Sequence, residues 1–237
     1  SSITLFGQNS IESTESVAGS TGFGGPQSYS GPFYSYHSTA NSTQELVTYL
    51  GAMESVYDVN QTMVKAYQES GYMRVKSVDD PQIGEAPADF YTENLKNSWQ
   101  DQYNDAAVVM LTRQASEDCD LLLEDPEGIS QLALHQDEKD LLNMLKEQKE
   151  QGVFKKIILL VNSNWAMELG DLDDYDVDAC LWIGSPGNTG LTGVAKILDG
   201  EVNPSGRLSD TFAASSLSSP AIVNACGNAP TWSNVST

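Results

Sequence analysis

The sequence predicts an α/β fold, a three-layer α/β/α sandwich built on a mostly parallel sheet of about six strands. Two continuous apolar runs, AAVVM at 106–110 and IILLV at 157–161, read as strands buried on both faces. Between them, residues 134–151 carry Leu141, Leu142 and Leu145 on one face of a helix and charge on the other. Apolar strands alternating with amphipathic helices give a parallel sheet covered on both sides, and such sheets collect ligands at the carboxyl ends of their strands.

The elements follow in order. Ile3 to Gly7 reads as a short buried strand, followed by some 35 residues rich in Gly, Ser and Tyr, a length that marks a functional or disordered connection. STQELVTYLGAM has Ser42 or Thr43 as N-cap, Glu45 behind it and Leu46, Val47 and Leu50 at helical spacing. A second helix is predicted over Asn60 to Glu69, ended by Gly71. Tyr72 to Ala88, with Pro81 and Pro87, reads as loop, and Asp89 to Gln102 as a weak helix feeding the strand AAVVMLT. Gly152 closes the helix 134–151, and KKIILLVN is the next strand. A short helix near Trp165 to Leu169, an acidic loop, the strand ACLWIG and a helix from Thr189 to Leu198 stopped by Gly200 complete the pattern. Residues 1–212 therefore read as the sandwich domain. Residues 213–237, rich in Ser, Asn and Pro, read as a linker or incomplete segment leading to a missing domain.

Composition narrows the partners. With 12 Lys and Arg against 33 Asp and Glu, the net charge of -21 repels nucleic acid and anionic membranes, while a neutral ligand such as a sugar is compatible with it. Cys119, Cys180 and Cys226 are far apart and supply neither a CxxC pair nor an even disulfide set. There is no apolar run of about 18 residues and no signal-peptide pattern at the start, and the abrupt opening on a strand suggests a piece of something longer.

Four motifs invite chemistry. GSTGFGG at 19–25, with Gly22 and Gly24, matches neither phosphate-loop pattern and has no helix directly behind it, so a sugar-facing or simply flexible loop is expected. DLDDYDVD at 171–178 lacks the Gly and Glu that a calcium loop starting at Asp174 needs, having Ala179 and Ser185 there. WIGSPG at 182–187 places Ile183 where a nucleophile elbow needs Gly, and His37 and His135 are the chain's two histidines. A Ser-His-Asp hydrolase and a zinc site are thus disfavoured, with His135 at a helix start where capping or exposure is the plainer role. The fourth is LTRQASEDCDL at 111–121, where Glu117, Asp118 and Asp120 lie just past the carboxyl end of a buried strand. Clustered like charges help a carboxyl keep its proton, as a general acid requires, although acidic loop residues are common in a chain this acidic.

A resemblance adds to this reading. VDACLWIGSPGNTGLTGVAKILDGEVNPSGRLSDTF, residues 177–212, is similar to the α/β-sandwich domain of family 3 glycoside hydrolases. Gly200, Val202, Asn203, Pro204, Ser205, Gly206, Arg207, Leu208, Thr211 and Phe212 match its G-x-V-N-P-S-G-[RK]-L-P-x-T-F run, with Ser209 in place of proline. KKIILLVNSNWAMEL, HQDEKDLLNMLKEQ and ITLFG with GSTGFGG resemble further parts of that domain, in the form seen where it precedes the barrel. The resemblance implies a retaining β-glycosidase whose Asp nucleophile belongs to a barrel domain of the same polypeptide. It implies a general acid/base Glu in R-x-S/G-G-E-G-x-D. Here Arg113 to Asp120 fall on that motif, with Glu117 on the acid/base and Asp120 on its Asp. Ser116 and Asp118 replace its two glycines. Arg113, Asp120, Gly22 and Gly24 are then expected to bind substrate, a β-linked oligosaccharide or glycoside, with no metal or cofactor. The address of the whole protein stays open between the surface and the cytoplasm of a bacterium. A non-catalytic carbohydrate-binding or scaffolding module is the alternative, and a nucleotide-binding doubly wound domain a weaker one.

Overall fold

The computed structural model describes residues 1–7, 10–11, 47–70, 85–113, 121–123, 128, 130–163, 165–184, 186 and 189–218. Among the described residues five strands, β1 (Ser2–Phe6), β2 (Asp58–Val59), β3 (Ala106–Thr112), β4 (Ile157–Asn162) and β5 (Ala179–Trp182), form one sheet in the order β2-β1-β3-β4-β5. Every pairing is parallel, with Leu5 opposite Val108 and Leu111 opposite Val161. All seven residues of β3 are buried, as its unbroken apolar sequence requires for a strand with neighbours on both edges and helices on both faces. β2 has only two residues and no apolar run to betray it. It joins the edge because Asp58 and Asn60 donate their N–H groups to the Ser1 and Ile3 carbonyls.

Helices α1 (Tyr49–Glu54) and α5 (Leu191–Leu198) pack together on one face, and α2 (Gln61–Glu69), α3 (Glu93–Gln100) and α4 (Gln136–Glu150) cover the other, giving three layers. The N-cap of α1 is Thr48, whose hydroxyl accepts from Gly51 N–H at 3.0 Å; the predicted caps Ser42 and Thr43 lie outside the described residues. Asn60 caps α2 through its side-chain oxygen, while its amide donates to Thr4 Oγ1 at 3.2 Å and Ser98 Oγ at 2.9 Å, tying the helix to β1 and α3. α4 begins at Gln136, behind His135 at the N-cap.

Under the α3 side of the sheet, Phe6 meets Trp99 and Phe154 edge-on with ring centroids 5.3 and 5.8 Å apart. Such pairs add about 0.5–1.5 kcal/mol each beyond burial. Trp99 Nε1 donates to Gln148 Oε1 at 3.4 Å, fastening α3 to α4. Two expectations change. The helix placed near Trp165 to Leu169 is instead a 3-10 helix at Gly170–Tyr175, because Trp165 and Glu168 send their N–H groups to Ser163 Oγ and the Leu132 carbonyl rather than to each other's turn. The charged face of α4 is not wholly exposed, since Glu138 is buried within it.

Candidate active site

Because all five strands run the same way, their carboxyl ends share one rim, and the order β2-β1-β3 places the topological switch point between β1 and β3. Two connections leave the sheet there. In the sequence, β1 is followed by the segment holding the glycine-rich motif and β3 by the segment holding the acidic motif.

At the β1 exit, Gly7 has φ +95°, and a Cβ there would lie 2.4 Å from the Met110 carbonyl oxygen of β3, so the close approach of the two strands excludes a side chain. Gly7 N–H donates to Tyr67 Oη at 3.0 Å, and Tyr67 and Tyr91 share a hydrogen bond of 2.7 Å. Burial first, and then the nearby Glu85 carboxylate, pushes the Tyr67 phenol well above its ordinary pKa; burial does the same for Tyr91, with Tyr67 and Glu85 adding to it. Both phenols therefore stay protonated and act as hydrogen-bonding pillars.

The β3 exit is built on charge. Arg113 is 3 % exposed, and its guanidinium donates in every direction it can. Nε binds the Gln131 carbonyl at 2.8 Å. Nη1 binds the Thr112 carbonyl at 3.0 Å and Glu138 Oε1 at 2.8 Å. Nη2 binds the Ala133 carbonyl at 2.6 Å and Glu138 Oε2 at 2.7 Å. These five bonds use all five donors of an arginine. Glu138 Oε2 also accepts from His135 N–H at 2.9 Å, at the start of α4. Burial alone would raise the Glu138 pKa, but the Arg113 charge and its hydrogen bonds, with the His135 N–H, outweigh that and hold the carboxyl below its usual value. Glu138 is an ion held in place, not a proton donor.

Further along the rim, Asn162 Nδ2 donates to the Gly184 carbonyl at 2.6 Å and Thr112 Oγ1 donates to Asn162 Oδ1 at 3.4 Å, so one amide links the exits of β3, β4 and β5. Trp182 stands at the edge, 37 % exposed, with its indole N–H on the Ser163 carbonyl at 2.5 Å and Phe212 edge-on at 6.1 Å.

Of the sequence-predicted site residues, the structure thus places Arg113 inside the rim with no donor left over, while Glu117, Asp120, Gly22 and Gly24 lie outside the described residues, as do Asp118 and Ser116. The sequence reading missed Tyr67, Tyr91, Glu138 and Asn162. Asn162 had a visible signal, a polar residue closing the apolar run IILLV; Glu138 had none, being one acid among several in a charged helix. The acidic run 171–178 is partly structural: Lys149 Nζ binds Asp178 Oδ2 at 2.8 Å and the Asp176 carbonyl at 2.8 Å, and Asp178 also accepts from Ile157 N–H. Among the described residues no group of three or more His, Cys, Asp or Glu could hold a metal ion.

A doubly wound parallel sheet whose switch-point connections carry these two motifs defines an α/β domain of the class that gathers ligands at the carboxyl rim. The chain belongs to the glycosyl hydrolase family 3 C-terminal domain family, whose model matches residues 1–231. A β-glucosidase from Ruminococcus albus is 31% identical over 110 residues, which is 46% of this chain and 11% of that protein. The chain therefore spans only a small part of that relative. Among solved structures, β-glucosidase 3B from Thermotoga neapolitana in complex with α-D-glucose superposes with TM-score 0.66 at 24% identity, covering 93% of this chain and 28% of that one. The β-glucosidase from Listeria innocua in complex with isofagomine gives 0.50 at 16% identity, covering 90% and 23%. At these identities the two structures bear on the fold, which they share with this chain.

Proposed function

We propose that this chain is the sandwich domain of a retaining β-glycosidase of β-glucosidase type, and that it lends the general acid/base Glu117 to a site completed by a barrel domain of the same polypeptide. The observation that carries the reading is the position of β3: it stands at the switch point of a fully parallel sheet, and the RQASEDCD motif begins at its carboxyl end. In the reaction, the Glu117 carboxyl protonates the glycosidic oxygen as the C–O bond breaks. A carboxylate about 5 Å away, the barrel's Asp, captures the anomeric carbon as a glycosyl ester. Glu117, now ionised, then takes a proton from water as the water attacks that carbon, releasing sugar of retained configuration and the free Asp. Asp120 and the loop holding Gly22 and Gly24 face the sugar in this reading. The 237-residue chain alone, lacking the nucleophile, is expected to show no turnover.

The test uses the complete polypeptide and a series of aryl and alkyl β-glucosides that differ in leaving-group pKa. With Glu117→Gln, kcat/KM should fall by about 10²–10⁴-fold for poor leaving groups, the size of a lost general acid, and far less for activated phenols that need no protonation. A flat profile, equal for all leaving groups, removes Glu117 from the mechanism. Ser116 and Asp118, standing where the family motif has glycine, favour a binding-only module in that event.

A further inference from the structure

The segment 114–120 is flanked by residues whose placement is described on both sides, and both flanks are fastened to the same residue. On the near side, Arg113 Nε donates to the Gln131 carbonyl at 2.8 Å. On the far side, Gln131 N–H donates to the Leu122 carbonyl at 2.9 Å, and Leu122 N–H donates to Gln131 Oε1 at 2.7 Å. Leu121 beside it is 2 % exposed. Gln131 is in turn held to α4 through Arg113, whose guanidinium is clasped by both oxygens of Glu138. The arrangement is desolvated: all five Arg113 donors are used, and among the described residues Glu138 accepts from Arg113 and from the His135 N–H.

We propose that Arg113, Gln131 and Glu138 form a clamp that fixes both ends of the seven-residue connection carrying Glu117, and that Arg113 serves the reaction as a positioning residue rather than as a sugar ligand. The physical reason for such a clamp lies in the motif. In the sequence Glu117 lies midway between Arg113 and Leu121, and a proton donor must sit within hydrogen-bond reach of the leaving oxygen, so fixing the two described flanks narrows where the glutamate can stand. A buried fork-to-carboxylate pair is also directional in a way a lysine would not be, since its two parallel bonds set the plane of the guanidinium. The proposal rests on the acid/base reading of Glu117.

Arg113→Met leaves Glu138 as an unpaired buried charge and is expected to destabilise the domain strongly, so the test is carried by Gln131→Leu and Arg113→Lys in the complete polypeptide. Glu117→Gln runs alongside. Gln131→Leu removes the Oε1 acceptor of the Leu122 N–H while keeping volume and the backbone bonds, and Arg113→Lys keeps the charge while losing the fork. Both should remain folded by thermal melt and lose kcat/KM by about 10–100-fold on poor leaving groups but under about threefold on activated phenols, as a misaimed acid would. The acid/base limbs of the pH–rate profile should move in the same variants. A rise in KM at constant kcat would mean that Arg113 touches the sugar, and an unchanged kcat/KM per folded molecule would make the cluster purely structural. Either overturns the clamp. If Glu117→Gln is steep with leaving group while the two clamp variants are flat, the clamp fails and the acid/base reading stands. If Glu117→Gln is itself flat, both fall.

Discussion

At the amino end of the sheet, Asp105 and Asp178 sit just ahead of β3 and β5 and pair with Lys155 and Lys149 close to solvent, each also accepting a backbone N–H, from Ser2 and Ile157. At the carboxyl end, the pair Arg113–Glu138 has nearly left the water, at 3 % and 2 % exposure. All are pairs of a basic side chain with a carboxylate, Lys with Asp at one end and Arg with Glu at the other, and their energetics differ. Exposed pairs contribute about 0–1 kcal/mol because water competes for both partners. A buried pair adds little against an apolar substitute, yet losing one partner costs about 3–5 kcal/mol. The amino end tolerates loosening, whereas the carboxyl end over-determines one geometry at the point where β3 releases the chain toward Glu117.

The sharpest way to break that contrast is at the buried pair. Arg113→Met should cost about 3–5 kcal/mol in chemical denaturation, and Arg113→Met with Glu138→Leu should recover much of it, since no charge is then stranded. A double variant no more stable than the single one would show that the pair's partners, not its charge, hold the rim.

Next in size is the β1 side of the same rim. Gly7→Ala pushes a methyl onto the Met110 carbonyl and demands a left-handed backbone from a residue with a side chain, at a cost of about 1–3 kcal/mol. Urea midpoints measure it, and a neutral result would mean that β1 and β3 can part at the switch point.

The smallest effect belongs to the amino end. Asp178→Asn should cost about 1 kcal/mol or less. pH separates the two ends more finely. Glu138, Asp105 and Asp178 all have pKa values lowered by folding, so each contributes stability that is complete above the ordinary carboxyl range of about 4 and is lost as pH falls through its lowered folded value. Asp137, raised chiefly by burial, works in the opposite sense. Urea midpoints taken from pH 6 down to 3 should therefore fall, with Glu138→Gln flattening the most acidic part of the curve and Asp178→Asn altering it less.

The strands and helices that place this rim were legible because burial on both faces forces unbroken apolar runs: β3, β4 and α4 stand within a residue or two of where the sequence puts them. β2 was not, since a two-residue edge strand is defined by its partner's hydrogen bonds rather than by its own side chains. The site divides in the same way. Glu117 is marked by its place after a buried strand and by a family motif, both local signals. What surrounds Arg113 is not local: the carboxylate that its guanidinium pairs with lies 25 residues away, on a helix face that the sequence pattern assigns to solvent.

The central claim, that Glu117 moves the proton, is tested most directly by azide rescue of Glu117→Ala in the complete polypeptide. On an aryl β-glucoside with a good leaving group, the glycosyl ester still forms without an acid, but its hydrolysis lacks a base. Azide needs none: it should attack the anomeric carbon, expel the nucleophilic Asp, raise the rate with azide concentration and yield β-glucosyl azide of retained configuration. Turnover equal to the parent's, with no azide dependence and no glycosyl azide formed, would contradict the assignment.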